Sequence, residues 1–289
     1  DGTVVESNIR RPSDGRLLAD SVRVLARSLA RGQTILKAAK QKVLSEFEDF
    51  TQTAKGLARK IGETLRSKKE AAQQAGRQQY ERLLGMTEQT IDWAVQTQRQ
   101  LQKQSQQKAK RLAETLNTFI PRARRVIQQT TRRILQGEQV PAAEKIVSLF
   151  EEHTDIIRRG KEAKPVEYGH KLWLNEVEGG IVSHYRVLDG NPSDEKQWTP
   201  SLKAHIQTFQ HPPIQASADR GLSSDPNEKL AHDLGVRYVV IPKRGYRTKA
   251  RLQHEHKAWF TKGRHWHAGV EGRISVLKRA HGLGRCLNH

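Results

Sequence analysis

Glu271 is the one acid among cations in Arg264-His265-Trp266-His267-Ala268-Gly269-Val270-Glu271-Gly272-Arg273-Ile274-Ser275-Val276-Leu277-Lys278-Arg279. Read as a helix that follows a turn at Gly269, the stretch places Glu271 on one side with Ile274, Leu277 and the apolar stem of Lys278, because positions three, four and seven apart are helical neighbours. A carboxylate flanked by Arg273, Lys278 and Arg279 suits a metal site that also holds phosphate. The metal needs oxygen ligands and a nucleic acid needs positive charge. Two further acids are placed to join it. Asp219 follows a short strand in Gln215-Ala216-Ser217-Ala218-Asp219-Arg220-Gly221, where a strand end presents a side chain above the sheet edge, Arg220 adds a cation and Gly221 lets the chain turn. Asp1 also lies at a strand end. Three acids distant in sequence but placed at element ends can converge as hard oxygen ligands for two Mg²⁺ (or Mn²⁺) ions. Taken alone, the Glu271 pattern is far more often that of an ordinary basic amphipathic helix, because such charge patterns are common on solvated faces.

The elements that must position these acids follow from periodicity and turn chemistry. Residues 1–9 read as the end of a strand before a polar turn and Pro12. Ser13 or Asp14 caps a helix carrying Leu18, Val22, Leu25 and Leu29 as far as Gly32. Helical spacing continues through Ile35, Ala39, Val43, Phe47, Phe50, Ala54, Leu57, Ile61 and Leu65, with Gly56 and Gly62 as weak points. From Ser67 to Phe119 the chain is Gln-rich, yet Tyr80, Leu83, Ile91, Val95, Leu101, Leu112 and Leu116 keep a narrow stripe. Good helix formers fill the rest, so the expectation is a long antiparallel hairpin or coiled coil, interrupted at Pro121. A helix through Val126, Ile127, Ile134 and Leu135 ends at Gly137, and a last one after Pro141 carries Ile146, Leu149, Phe150 and Ile157.

The texture changes at Lys164-Pro165. Residues 170–175 and 181–188 read as a hairpin joined through Glu178-Gly179-Gly180. Ser193 or Asp194 caps a helix reaching Phe209; residues 214–218 form a strand, 225–234 a helix, 236–241 an apolar strand stopped by Pro242, 244–249 a loop and 251–260 a helix. The expected fold is α/β, a mixed sheet with covering helices, interrupted after its first strand by a long all-helical insertion. The parts are 1–12 as strand end and turn, 13–163 as the helical arm, and 164–289 as the rest of the core.

Charge narrows the partners. Lys and Arg number 51 against 31 Asp and Glu, a net charge of +20, which favours a polyanion because each neutralised phosphate releases condensed counterions. The arm concentrates this excess: residues 101–135 hold Lys103, Lys108, Lys110, Arg111, Arg122, Arg124, Arg125, Arg132 and Arg133 against Glu114 alone. That imbalance points to a phosphate-tracking surface, although a solvated helix face that keeps the arm soluble has the same composition. No run of about eighteen apolar residues is present to span a bilayer, and no signal segment opens the chain. Cys286 is the single cysteine, which excludes an intrachain disulfide and fits a reducing cytosol. The chain starts at Asp1 and its one methionine is Met86, so the expectation is a chain truncated on its N-terminal side.

Three blocks carry a family resemblance: residues 1–9, Ala218-Asp219-Arg220-Gly221, and Glu271-Gly272-Arg273-Ile274-Ser275-Val276-Leu277-Lys278-Arg279. With Gly169-His170-Lys171-Leu172-Trp173 and Val187-Leu188-Asp189-Gly190-Asn191-Pro192 between them, they resemble bacterial insertion-sequence transposases of the DDE class. The resemblance implies a ribonuclease H-like core in which Asp1, Asp219 and Glu271 bind catalytic metal, Mg²⁺ or Mn²⁺. It implies cleavage of double-stranded DNA at transposon ends, and then attack of the freed 3′ hydroxyl on target DNA. Arg220, Arg273, Lys278, Arg279, Arg124, Arg125, Arg132 and Arg133 are the expected DNA contacts; a bacterial cytoplasmic, nucleoid-associated location and a homodimeric active complex belong to the same expectation. Glu271 and Lys278 keep the family's spacing, while His267 stands where its arginine belongs and Arg264 where its aromatic does.

Two other readings share these residues. His254, His256, His265, His267, His281, Cys286 and His289 offer zinc ligands, without paired-cysteine spacing. A non-catalytic DNA-binding or scaffold protein, such as an inactive transposase remnant, has the same composition. Trp266 could stack on a displaced base or anchor the last helix, and Trp173, Trp198 and Trp259 are expected in packing.

Overall fold

The computed structural model describes residues 1–41, 43, 46–64, 69–158 and 164–287, so Leu65, Ser67 and His289 lie outside the described residues. The chain divides into two compact units, one of Asp1–Asn8 with Asp155–His289 and one of Ile9–Thr154.

The Ile9–Thr154 unit is helical. Ser13 caps α1 (Asp14–Ala38) by accepting from the Arg16 N–H, and Asp14 in the first turn faces the positive end of the helix dipole. Its stripe of Leu18, Leu25, Leu29 and Leu36 is fully buried, at about 1.5–3 kcal/mol per side chain. Beside it run α2 (Thr51–Thr64), α3 (Glu70–Gln102) and α4 (Gln107–Thr130). Leu18 at the start of α1 clusters with Ile61 late in α2, Leu83 early in α3 and Val126 late in α4. Leu36, at the other end of α1, clusters with Leu101 and Ala109. The helices therefore alternate in direction, up, down, up and down: α3 and α4 form the antiparallel pair expected of the Gln-rich stretch, and α1 and α2 pack with it. Gly32, Gly56 and Gly62 lie inside continuous helices.

Pro121 does not interrupt α4, contrary to expectation; the chain breaks instead at residues 103–106. Leu112, Leu116, Ile120, Ala123 and Val126 form one buried stripe on both sides of this exposed proline, and their packing offsets the one lost backbone hydrogen bond. The helix expected through Ile157 is also absent. A short 3₁₀ turn, Ala142–Glu144, leads into irregular chain, and Ile157 belongs to β2 (Asp155–Arg158). Residues 155–158 thus leave the expected 13–163 arm and join the sheet.

The other unit holds a mixed sheet. β1 (Gly2–Ser7) pairs antiparallel with β3 (Val166–Val177), and β3 pairs antiparallel with both β2 and β4 (Ile181–Leu188). A parallel bridge to β7 (Arg285–Cys286) covers the far edge of β1 at Glu6 and Ser7. Gly179 and Gly180 both take positive φ, which the turn between β3 and β4 requires. α5 (Trp198–Phe209) packs Trp198 and Leu202 with Trp173 and Leu188 of the sheet. A second, parallel pair follows, β5 (Gln215–Ser217) with β6 (Tyr238–Val240), linked by α6 (Asp225–Asp233). The helix expected over 251–260 is two helices, α7 (Lys249–Glu255) and α8 (Ala258–Ala280). Gly269 is inside α8, not a turn ahead of it, because the apolar contacts of Phe260 and Val270 bind the helix on both sides.

Two glycines fix backbone separations. A Cβ on Gly169 would lie 2.0 Å from the Val5 carbonyl oxygen, so β1 and β3 approach only because that atom is absent. A Cβ on Gly263 would lie 2.7 Å from Val240 Cγ2 and 2.9 Å from Gln215 Nε2, which seats α8 against β5 and β6. Gly169→Ala should lower unfolding stability by about 2 kcal/mol, read from the urea midpoint. Gly85→Ala, in α3 with nothing within 4 Å of the added methyl, should raise it by up to about 1 kcal/mol. In the bundle, buried Asp14 accepts from Gln129 Nε2 at 3.1 Å and pairs with Arg133. Asp14→Ala, which removes one acceptor from Gln129 and the carboxylate partner of Arg133, should cost about 1–2 kcal/mol in the same measurement.

Candidate metal centre

Asp1 is held at the end of the β1–β3 ladder: its N–H donates to the Leu174 carbonyl at 2.7 Å and its carbonyl accepts from the Leu174 N–H at 2.9 Å. Its carboxylate is 11% exposed. Asp219 leaves the parallel pair one residue after Ala218, whose N–H extends the ladder by donating to the Val240 carbonyl at 3.0 Å. The 3₁₀ turn Arg220–Leu222 then anchors through buried Leu222 and leaves the Asp219 carboxylate 68% exposed. His267 reaches both acids from α8. Its Nε2 is 3.5 Å from Asp1 Oδ1 and 3.3 Å from Asp219 Oδ1. The hydrogen bond from His267 holds the Asp219 carboxyl below its ordinary range, against partial burial that acts in the opposite direction.

Asp1, Asp219 and His267 form the one metal-capable group among the described residues, their ligand atoms lying within 4.8 Å of one another. The donor set fits a divalent ion. Metal bonds of about 2.0–2.2 Å set adjacent ligands roughly 3 Å apart in octahedral and 3.3–3.6 Å apart in tetrahedral geometry, and the His267 separations of 3.5 and 3.3 Å lie close to that range. Two carboxylates with one imidazole suit Mn²⁺ or Zn²⁺ better than Mg²⁺, which prefers oxygen alone.

Glu271 lies outside this group. It is exposed, one helical turn beyond His267 on α8. Arg273 is paired with the buried carboxylate of Glu176 on β3. Lys278 is half-buried near the end of α8, and exposed Arg279 donates through Nε to Ser275 Oγ at 3.0 Å. Arg220 is exposed beside Asp219 and makes no ion pair among the described residues. Near Asp1, Lys171 pairs with Asp194 at 2.6 Å, and Asp194 borders Gly2.

In the helical unit, three of the four arginines expected to track phosphate have internal partners. Arg125 faces Glu152 at 3.5 Å and donates to the carbonyls of Ala143 and Glu144 at 3.2 Å; Arg132 pairs with Glu138 at 2.7 Å and Glu144 at 2.6 Å; Arg133 pairs with Asp14. Arg124 is exposed, with no ion pair among the described residues. Among the described residues the zinc set does not assemble. His254 packs edge-on against Trp259 and Phe260, while His256, His265 and His281 are exposed and Cys286 lies in β7. Trp173 and Trp198 are buried, and Trp259 and Trp266 are half-buried.

Sequence reasoning missed His267 as the side chain that joins the two acids. Its signal was the four-residue spacing to Glu271, which puts both on one helix face. No family model, curated protein or solved structure matches the chain. The geometry itself sets the test: by Mn²⁺ titration followed by electron paramagnetic resonance, Asp219→Asn and His267→Ala should each weaken binding at least about tenfold, the usual effect of losing one ligand-shell group. Glu271→Gln should change it less, and an equal loss would make Glu271 a ligand.

Proposed function

We propose that the chain is a DDE-class transposase that cleaves and joins double-stranded DNA with a divalent metal, Mn²⁺ or Mg²⁺. The observation that carries this reading is the meeting of Asp1, from the edge of β1, with Asp219, from the end of β5, against α8, the helix that bears Glu271. The antiparallel order β4-β3-β1, the parallel pair β5–β6 and the closing helix support a ribonuclease H-like core. Here β5 and β6 form their own two-stranded sheet, while β7 takes a place beside β1. The helical unit that follows β1 is read as the family's insertion. A homodimeric complex and a place at the bacterial nucleoid belong to the same proposal. No helix among the described residues is long and apolar enough to cross a membrane.

A metal held by Asp1, Asp219 and His267 would neutralise charge on the entering and leaving oxygens at phosphorus. The chain's own contribution is preorganisation. Asp1 is fixed by two backbone hydrogen bonds, His267 by a helix seated on β5 and β6, and only Asp219 is largely open to an incoming phosphate. Arg220, beside Asp219, and Arg279, at the end of α8, are exposed cations available to the backbone of bound DNA. Three of the expected DNA contacts, Arg125, Arg132 and Arg133, are paired with carboxylates of the helical unit itself, and Arg273 is paired with Glu176.

One observation favours a non-catalytic DNA-binding remnant as the second reading: Glu271 stands apart from the two aspartates. A single assay separates the two. Supercoiled plasmid carrying the DNA that flanks the coding frame should be nicked in Mn²⁺ to leave 3′ hydroxyls, with at least about a hundredfold loss in Asp219→Asn. Salt-dependent binding without nicking, unchanged in Asp219→Asn, would establish the remnant instead.

A further inference from the structure

The segment between β6 and α7 has a construction that the metal centre does not use. Buried Glu255 of α7 accepts from the Lys243 N–H at 2.8 Å, from Arg247 at 3.2 Å and from Arg251 Nε at 2.8 Å. Arg251 also grips Glu228 of α6 through two bonds of 2.8 Å and donates to the Ile241 carbonyl at 2.6 Å. Burial alone would push the Glu255 carboxyl upward, but Arg251, the Lys243 N–H and Arg247 outweigh it and hold it below its ordinary range. A charge this buried is tolerated only when fully partnered, so the network fixes the loop against α6 and α7.

What this frame holds out is a ring among cations. Tyr246 follows Gly245, which takes φ +77°, and is 88% exposed, the highest value among the exposed large hydrophobic side chains. Lys243 and Arg247 are bound to Asp225 and Glu255, whereas Arg244 and Lys249 are exposed and make no ion pair among the described residues. A lone exposed tyrosine needs no explanation. A rigid loop that lifts one clear of its surroundings between two free cations matches what an unpaired nucleic-acid base requires: a flat ring on which to stack and charges on the neighbouring phosphates.

Position supplies the second argument. β5 and β6 are parallel and in register at Ser217 and Val240, so the chain leaves both strands at the same edge, to Asp219 from one and to Lys243 from the other. The Lys243–Asp225 pair, at 3.0 Å, ties the loop to the helix that follows the Asp219 turn. Open α/β sheets bind their ligands outside the carboxyl ends of their strands.

We infer that the loop is a nucleic-acid contact in which Tyr246 stacks on an unpaired base at a DNA end and Arg244 and Lys249 hold the adjoining phosphates. The inference rests on the DNA-processing reading of the same unit. Ring stacking is sequence-tolerant, so the contact selects unpaired structure over base identity. The test uses the full chain and two fluorescein-labelled duplexes, one blunt and one with a three-nucleotide 3′ overhang containing 2-aminopurine. Tyr246→Ala should weaken overhang binding about tenfold and abolish 2-aminopurine quenching, with blunt-duplex affinity changed less than about twofold. Tyr246→Trp should preserve both signals. Arg244→Ala with Lys249→Ala should weaken both duplexes and lower the salt slope by about two.

Equal overhang binding by wild type and Tyr246→Ala would overturn the inference and leave the DNA reading intact. Failure of the wild type to bind either duplex would overturn both. Loss of binding to phosphatidylserine vesicles in Tyr246→Ala, with DNA binding unchanged, would assign the loop to a membrane surface and overturn the inference.

Discussion

Asp1 and Leu174 exchange both of their backbone hydrogen bonds across 173 positions of chain, and the sheet unit depends on that pairing. The pairing adds the first strand to a hairpin that could otherwise form locally, and it places the first acid. It also helps set the spacing between β1 and β2, the strands on either side of residues 9–154 in the sequence. Gly169 is the register partner of Glu6 on one side and of Asp155 on the other. The chain that departs after β1 and the chain that returns into β2 are therefore about two strand spacings apart, roughly 10 Å. Bridging two strands held that close costs little more for a long connection than for a short one, because loop-closure entropy grows only slowly with length. The missing side chain of Gly169, at the junction of both pairings, lets β1 come this near.

Much of the fold was legible because local signals and burial agree. Ser13 caps α1, the Leu18 to Leu36 stripe has helical spacing, and the two glycines after Glu178 turn one strand into the next. The misreadings fall where packing outweighs local preference. Pro121 loses one hydrogen bond but sits on the exposed side of a helix buried along its other face. Ile157 has the spacing of the preceding helix, yet its strand alternative gains a ladder with Glu167 that periodicity does not reveal. Gly269 has a turn residue's propensity, and α8 carries through it because both flanks are anchored.

Charge misleads for a related reason. The window from 101 to 135 is almost free of acids, but the acids that meet its arginines lie outside it, at Asp14, Glu138, Glu144 and Glu152. Tertiary structure brings them across, so composition overstates the bundle's available positive charge. In the sheet unit, the loop from Lys243 to Thr248 scans as an ordinary polar connection. Its distinguishing property, a buried carboxylate beneath it, is supplied by Glu255 from the next helix.

The same distinction decides how α8 meets the two aspartates. His267 and Glu271 are four residues apart on a single helix, so a shift of about 6 Å along its axis would bring Glu271 to the place of His267. Two contacts oppose that shift from opposite sides of His267. Gly263 is fitted where Val240 and Gln215 leave no room for a side chain, and Arg273 is paired with a carboxylate that would be left buried without it. Any slide that brought a bulkier neighbour to the Gly263 position would meet the Val240 side chain before Glu271 reached the acids. The register of α8 is thus set by an absent Cβ and a buried ion pair, neither of which belongs to the acidic blocks that attract attention in the sequence. In that register the third group at the aspartate pair is an imidazole.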